Sequence, residues 1–178
     1  MYIDKAGSED VGELKKLWLS AFDDEENIVD LFMSKVRPRS LTYVVREADQ
    51  IASVLYAIPT LDNNYYLYAL ATQDCFRGRG YMSALIRYFV REAQVADYFF
   101  LIPAEEGLKP YYEGLGFDIC VPAEFDLQTG RDIFDGGVKE YVMGELEAED
   151  GAWPDLGCAL VHRIGGRTPE NIRGVIPF

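Results

Sequence analysis

The sequence predicts an α/β fold, a mixed sheet carrying helices on both faces. Three observations point to it. Residues 8–35 repeat apolar side chains at helical spacing, residues 41–58 change to β-branched and aromatic runs, and residues 65–102 read strand, helix, strand. Each helix must bury its own apolar stripe, so helices ahead of a hairpin and a helix between two strands call for a sheet that can be covered twice.

In chain order, residues 2–6 read as a short first strand. The next run sets Val11, Leu14, Leu17, Trp18 and Phe22 at helical spacing, with Ser8 as the expected N-cap and Glu9 and Asp10 complementing the helix dipole. A second helix is expected over Glu25–Lys35, with Ile28, Leu31 and Phe32 on one face, and Arg37-Pro38-Arg39 breaks it. Leu41–Arg46 and Gln50–Ile58 flank the polar Glu47-Ala48-Asp49, a hairpin signature. After a turn at Asp62-Asn63-Asn64, Tyr65–Thr72 is apolar on both faces and reads as a central strand. Met82–Ala96 is the next helix, Asp97–Ile102 a buried strand closed by Pro103, and Glu105–Tyr112 a short helix ending at Gly114-Leu115-Gly116. Asp118–Val121 and Val138–Met143 are further strands, with Gly136-Gly137 as a turn. The tail, 144–178, mixes acidic, glycine and proline residues with short apolar runs such as Cys158–Ile164. Without repeats or a low-complexity linker, one domain is expected over 1–178.

Composition removes several functions. No apolar run reaches the ~18 residues of a membrane span, and the first ten residues lack the basic-then-apolar order of a secretory signal. Cys75, Cys120 and Cys158 are too scattered for a disulfide framework, and with the one histidine, His162, they form no metal-binding spacing. A reducing cytoplasm and no metal are therefore expected. The net charge of −13 argues against nucleic acid and suits a cationic ligand better.

Residues 66–90 hold the most informative pattern. A buried strand runs into Arg77-Gly78-Arg79-Gly80 and then a helix. Glycines let the backbone approach a ligand, and the first amides of the helix lack partners within it, so the turn is suited to a pyrophosphate. The competing reading is an exposed turn with solvated arginines. It is neither a Walker A loop nor a dinucleotide fingerprint, because no Gly-Lys-Ser/Thr follows and no third glycine is present.

A second segment lies about twenty residues on, where a strand closed by Pro103 leads to Tyr111 and Tyr112 ahead of Gly114-Leu115-Gly116-Phe117. A tyrosine hydroxyl can protonate a leaving thiolate. Packing of Tyr112 beside Phe117 explains the same residue. Asp74, Glu105 and Glu106 are the nearest carboxylates for a base, though each reads first as a solvated surface or helix-start charge, and Tyr141 on a late strand could face the pocket or simply pack.

Together these segments closely resemble motifs A and B of the GNAT superfamily of N-acetyltransferases. Arg77 and Gly80 match the first motif, while Met82 stands where Gly or Ala is usual. Tyr112-Glu113-Gly114-Leu115-Gly116-Phe117 matches the second at every specified position. The resemblance covers roughly residues 1–120, leaving 121–178 less defined. It implies a mostly antiparallel sheet splayed into a V between its fourth and fifth strands, with acetyl-CoA as acyl donor. The pantetheine arm would bond the backbone of Leu70, Ala71 and Thr72. The pyrophosphate would sit on amides of Arg77, Gly78, Arg79, Gly80, Tyr81 and Met82. Tyr112 would be the general acid, and Glu105, where many relatives carry Asn, a base or a helix cap. The implied reaction is direct attack by a primary amine of a small molecule or peptide in a ternary complex, by a monomer or homodimer. A catalytically silent acyl-CoA-binding module is the alternative. Asp23-Asp24-Glu25-Glu26 also resembles the acidic segment of GNATs near the aminoglycoside-acetylating Eis group, although this chain lacks the length of their extra domains. N-capping of the second helix by Asp23 or Asp24 accounts for the same residues.

Overall fold

The computed structural model of the chain describes residues 1–60, 64–93, 96–124, 158–164, 169–170 and 172–173. The chain forms two compact units, Met1–Ile58 with Leu67–Ala93, and Pro59–Tyr66 with Gln94–Phe178. Among the described residues the chain has eight strands, numbered in chain order below. The sequence-predicted strand Val138–Met143, with Tyr141, lies outside the described residues.

In the first unit, β1 (Tyr2–Lys5), β2 (Leu41–Glu47) and β3 (Gln50–Pro59) pair antiparallel. The predicted hairpin turn is made by Ala48 and Asp49, both left-handed at φ 47° and 65°, which suits the twist of the strands they join. β4 (Tyr65–Thr72) follows. The helices are α1 (Val11–Ala21), α2 (Glu26–Leu31) and α3 (Tyr81–Glu92). Register shows that they cover opposite faces of the sheet. Tyr56 pairs with Thr42 and Leu55 with Tyr43, so Tyr56 and Tyr43 point to opposite sides. Trp18 of α1 and Phe32, just past α2, meet the Tyr56 ring at 5.7 and 5.0 Å. Phe89 of α3 meets Tyr43 at 5.8 Å. Trp18, Phe32, Tyr56 and Tyr68 form the aromatic centre of this unit. The Tyr56 hydroxyl is buried without a hydrogen-bond partner, and burial pushes that phenol's pKa up against the pull of Arg37.

Three local expectations are corrected. Asp10, not Ser8, stands at the N-cap of α1, and its carboxylate makes no capping bond. It accepts instead from Gly7 N–H and Arg46 Nη2, both at 2.8 Å, because the charged guanidinium is the stronger partner. Glu25, not Asp23 or Asp24, caps α2 with its backbone. Asp24 accepts from Trp18 Nε1 at 2.6 Å, so that acid satisfies a core indole. Finally, α2 ends at Leu31 and widens into a π turn (Phe32–Val36) that keeps Phe32, Met33 and Val36 buried, before a 3-10 turn at Arg37–Arg39.

In the second unit, Tyr65 and Tyr66 of β4 pair parallel with Phe99 and Phe100 of β5 (Tyr98–Leu101). A 3-10 turn (Glu106–Leu108) then leads into α4 (Lys109–Glu113), whose first turn holds Pro110. The single helix expected over Glu105–Tyr112 is thus divided ahead of its proline, which has no N–H to continue one ladder. β6 (Ile119–Glu124), β7 (Cys158–Arg163) and β8 (Ile172–Arg173) complete the unit. The tail run at 158–163 inserts antiparallel between β5 and β6. In this register Cys120 pairs with Leu160 and Cys158 with Pro122, which leaves the two cysteines diagonal neighbours with Cα atoms 5.6 Å apart, within disulfide reach. Cys75 is free and exposed. Among the described residues no helix is long and apolar enough to cross a membrane.

Candidate functional site

The first unit carries the strand and the turn. Within β4, Ala69 has φ 46°, a left-handed conformation that costs a non-glycine residue about 1–2 kcal/mol. It interrupts the pleat directly ahead of Leu70, Ala71 and Thr72, of which Leu70 and Thr72 are half-buried. The strand's end is anchored to β3. The Ser53 and Thr72 hydroxyls are 2.8 Å apart, Gln73 N–H donates to Ala52 C=O at 2.9 Å, and the Gln73 side-chain amide donates to Ile51 C=O at 2.6 Å.

A 3-10 turn (Asp74–Phe76) leads to Arg77, and Gly78 and Gly80 follow at φ 74° and 76°. These two positions need glycine for backbone conformation, since a Cβ at either would meet nothing within 4 Å. Gly80 caps α3, and no side chain caps the helix. The N–H groups of Tyr81 and Met82 therefore open the helix without acceptors inside it. Tyr81 is fixed by its own side chain, whose hydroxyl donates to Glu47 Oε2 at 3.1 Å. That leaves its backbone N–H for a ligand. Glu47 also holds the N-terminal ammonium at 3.2 Å, and these two partners, the ammonium first, keep its carboxyl below the usual carboxylate range. The arginines brace the loop. Arg77 Nε donates to Thr72 C=O at 3.3 Å and pairs with Asp74, and Arg79 Nη2 donates to Cys75 C=O at 3.2 Å over the Phe76 ring. An open glycine backbone, uncapped helix amides and two guanidiniums form a donor set suited to a pyrophosphate.

The second unit carries Glu105 and Tyr112. Glu105 precedes the 3-10 turn with its side chain exposed and makes no side-chain capping bond. Only its carbonyl serves the turn, accepting from Leu108 N–H at 3.1 Å. Tyr112 is buried on α4 between Tyr111 and Phe117, with ring centroids at 5.1 and 6.5 Å. Burial, aided by Tyr111, pushes its phenol up to about 12, so it keeps its proton at neutral pH. The Gly-Leu-Gly-Phe segment folds back on it, with Leu115 and Phe117 N–H both donating to Tyr112 C=O, at 2.9 and 3.1 Å. Among the described residues no three His, Cys, Asp or Glu groups gather as metal ligands.

Sequence reasoning missed three residues. Ala69 gives no signal, because alanine is not a usual left-handed residue. Glu47 was read as part of a turn, and its bond to Tyr81 spans 34 positions. His162 was left in the tail, yet its Nδ1 lies 2.9 Å from Gly116 C=O, 46 positions away.

The family model described as "Acetyltransferase (GNAT) family" matches residues 9–117, which is 109 of 178 residues and spans both motif segments. No curated protein matches in sequence. Among solved structures, a GNAT-family acetyltransferase from Staphylococcus aureus is similar at TM-score 0.65 and 11% identity, over 92% of this chain and 98% of that one. A Bacillus subtilis acetyltransferase in complex with CoA is similar at TM-score 0.59 and 18% identity, over 90% and 97%. A probable N-acyltransferase from Enterococcus faecalis is similar at TM-score 0.55 and 18% identity. There the match covers 68% of this chain, and the chain spans only 32% of that longer protein.

Proposed function

The chain belongs to the GNAT acetyltransferase family, and on that premise we propose that it transfers the acetyl group of acetyl-CoA to a primary amine of a small molecule or peptide by direct attack in a ternary complex. The observation that carries the reading is the turn ahead of α3, where Gly78 and Gly80 at φ 74° and 76° present open backbone alternating with two braced arginines. In this reading the amides from Arg77 to Met82 hold the pyrophosphate, and the backbone of Leu70, Ala71 and Thr72 beyond the left-handed Ala69 holds the pantetheine arm. Met82 contributes only its N–H, so its side chain is no obstacle.

Acetyl-CoA supplies a thioester whose acyl carbon accepts the amine and whose sulfur leaves. Tyr112 supplies the proton for that sulfur from its phenolic oxygen, which burial keeps protonated. The attacking amine must lose a proton, and Glu105, exposed and free of a capping bond, is assigned as its acceptor. The net charge of −13 supports a cationic acceptor, whose local concentration an acidic surface raises.

Calorimetric titration with acetyl-CoA tests the site, and thiol release against a panel of amines tests the reaction. Micromolar binding with amine-dependent thiol release is expected. Binding without release would leave an acyl-CoA-binding module, and no binding would remove the assignment of the Arg77–Met82 turn.

A further inference from the structure

Tyr112 sits on a helix of five residues ahead of a glycine turn, a weak support for a group that must deliver a proton to one atom. What holds the turn comes from another strand. Gly116 has φ 92°, which directs the peptide linking residues 116 and 117 in two directions. Its N–H, from Phe117, donates to Tyr112 C=O at 3.1 Å. Its C=O, from Gly116, is 2.9 Å from His162 Nδ1. Both bonds lie on a single peptide plane, which does not twist. Rotation of that plane would loosen the bond to Tyr112 and the bond to His162 together. A carbonyl can only accept, so Nδ1 carries the hydrogen and donates. The imidazole is fixed in turn by β7, where His162 pairs with Phe99. Its ring stacks on Phe99 at 6.3 Å and 21° and meets Phe117 at 5.3 Å.

We propose that His162 is a positioning residue for Tyr112, fixing the 116–117 peptide through Nδ1–H and thereby the place of the phenol on α4. The inference rests on the reading of Tyr112 as proton donor. It gives the lone histidine a part in turnover without contact with substrate. A small misplacement of a reacting group lowers rate more than binding, so the loss belongs in kcat and not in the KM for acetyl-CoA.

Two substitutions separate the donor from the ring. His162→Phe keeps an aromatic ring against Phe99 and Phe117 but has no donor. His162→Asn loses the ring but places an amide N–H as many bonds from the backbone as Nδ1. Steady-state kinetics would be measured for wild type, both variants, Tyr112→Phe, and the double variant His162→Phe with Tyr112→Phe. The expected result is a kcat about tenfold lower in His162→Phe with KM for acetyl-CoA within about twofold, and recovery of most of the loss in His162→Asn. In the Tyr112→Phe background, His162→Phe should cost nothing further, since the group it positions is gone. Because His162 is the chain's one histidine, its ring nitrogens can also be read by 15N NMR in the unmodified protein, where the Nδ1–H tautomer is expected at mildly alkaline pH.

A full kcat in His162→Phe beside a depressed Tyr112→Phe would overturn the proposal and leave Tyr112 in its role. An equal loss from His162→Phe with and without the Tyr112 hydroxyl would overturn it as general structural damage. An Nε2–H tautomer would overturn it even if His162→Phe failed to fold. A full kcat in Tyr112→Phe would instead remove the acid reading itself, and this inference with it.

Discussion

A Cβ added to Gly116 would lie 2.6 Å from Nδ1 of His162. The position is also at φ 92°, outside the left-handed well that L-residues tolerate. Gly116→Ala should therefore suffer backbone strain and a clash together, about 3 kcal/mol of lost stability. Gly78, at φ 74° with nothing within 4 Å of its would-be Cβ, should lose only the strain, about 1 kcal/mol on Gly78→Ala. Urea unfolding of the two variants checks the contrast. Equal losses would mean that the imidazole moves aside at little cost.

Tyr112 has an alkaline signature. Its phenol is raised by burial from 10.0 to about 12, so between those values the folded chain keeps a proton that the unfolded chain releases. Stability must then fall as pH rises through this window, by about 3 kcal/mol from this group. Tyr56 is also raised by burial and adds to the same slope, so the quantity to measure is the difference between wild type and Tyr112→Phe. Denaturant melts should show a shallower alkaline loss in the variant. Identical slopes would show that the phenol ionises in the folded state no later than in the unfolded one.

The parts legible in the sequence were those whose cause is local. Gly78 and Gly80 announce themselves because few residues but glycine sit at positive φ, and Arg77 through Gly80 sits between a clear strand and a clear helix. The apolar periods of α1 and α3 named their buried faces, with Leu14, Leu17 and Trp18 on one and Leu85, Ile86 and Phe89 on the other. What was not legible depends on distant partners. Ser8 looked like a cap because nothing nearby shows that Asp10 will meet Arg46, 36 positions on. The insertion of β7 between β5 and β6, which delivers His162 to Gly116 and Cys158 to Cys120, is a choice of strand order that a short apolar run cannot encode. Ala69 holds its positive φ through the surrounding sheet, with no propensity of its own to show it.

Breaking the Asp10–Arg46 pair should cost far more than breaking the ion pairs around Lys15. Asp10 and Arg46 side chains are 8% and 14% exposed and meet at 2.8 Å, and the nearby Asp4 is a weaker substitute at 3.6 Å. Asp10→Ala strands a mostly buried guanidinium and the Gly7 N–H, so a loss of about 3 kcal/mol is expected. Lys15 bridges Glu26 and Asp30 at the surface, where solvent screens the pairs, and Lys15→Ala should cost much less. Thermal or urea unfolding ranks the two directly, and the reverse order would mean that water reaches Arg46 freely.

Gly80 separates binding from chemistry. It caps α3 in a left-handed conformation that β-branched residues avoid. Gly80→Val should therefore turn the first amides of the helix away from a ligand, while Tyr112 keeps its own ring contacts to Tyr111 and Phe117. The expected outcome is an affinity for acetyl-CoA lower by about tenfold or more, with kcat at saturating acetyl-CoA within about threefold of wild type. Calorimetry reads the first quantity and thiol release the second. Stability must be measured beside them, because the new strain costs about 1–2 kcal/mol by itself. A variant that still folds and binds acetyl-CoA as tightly as wild type would show that the pyrophosphate does not depend on this turn.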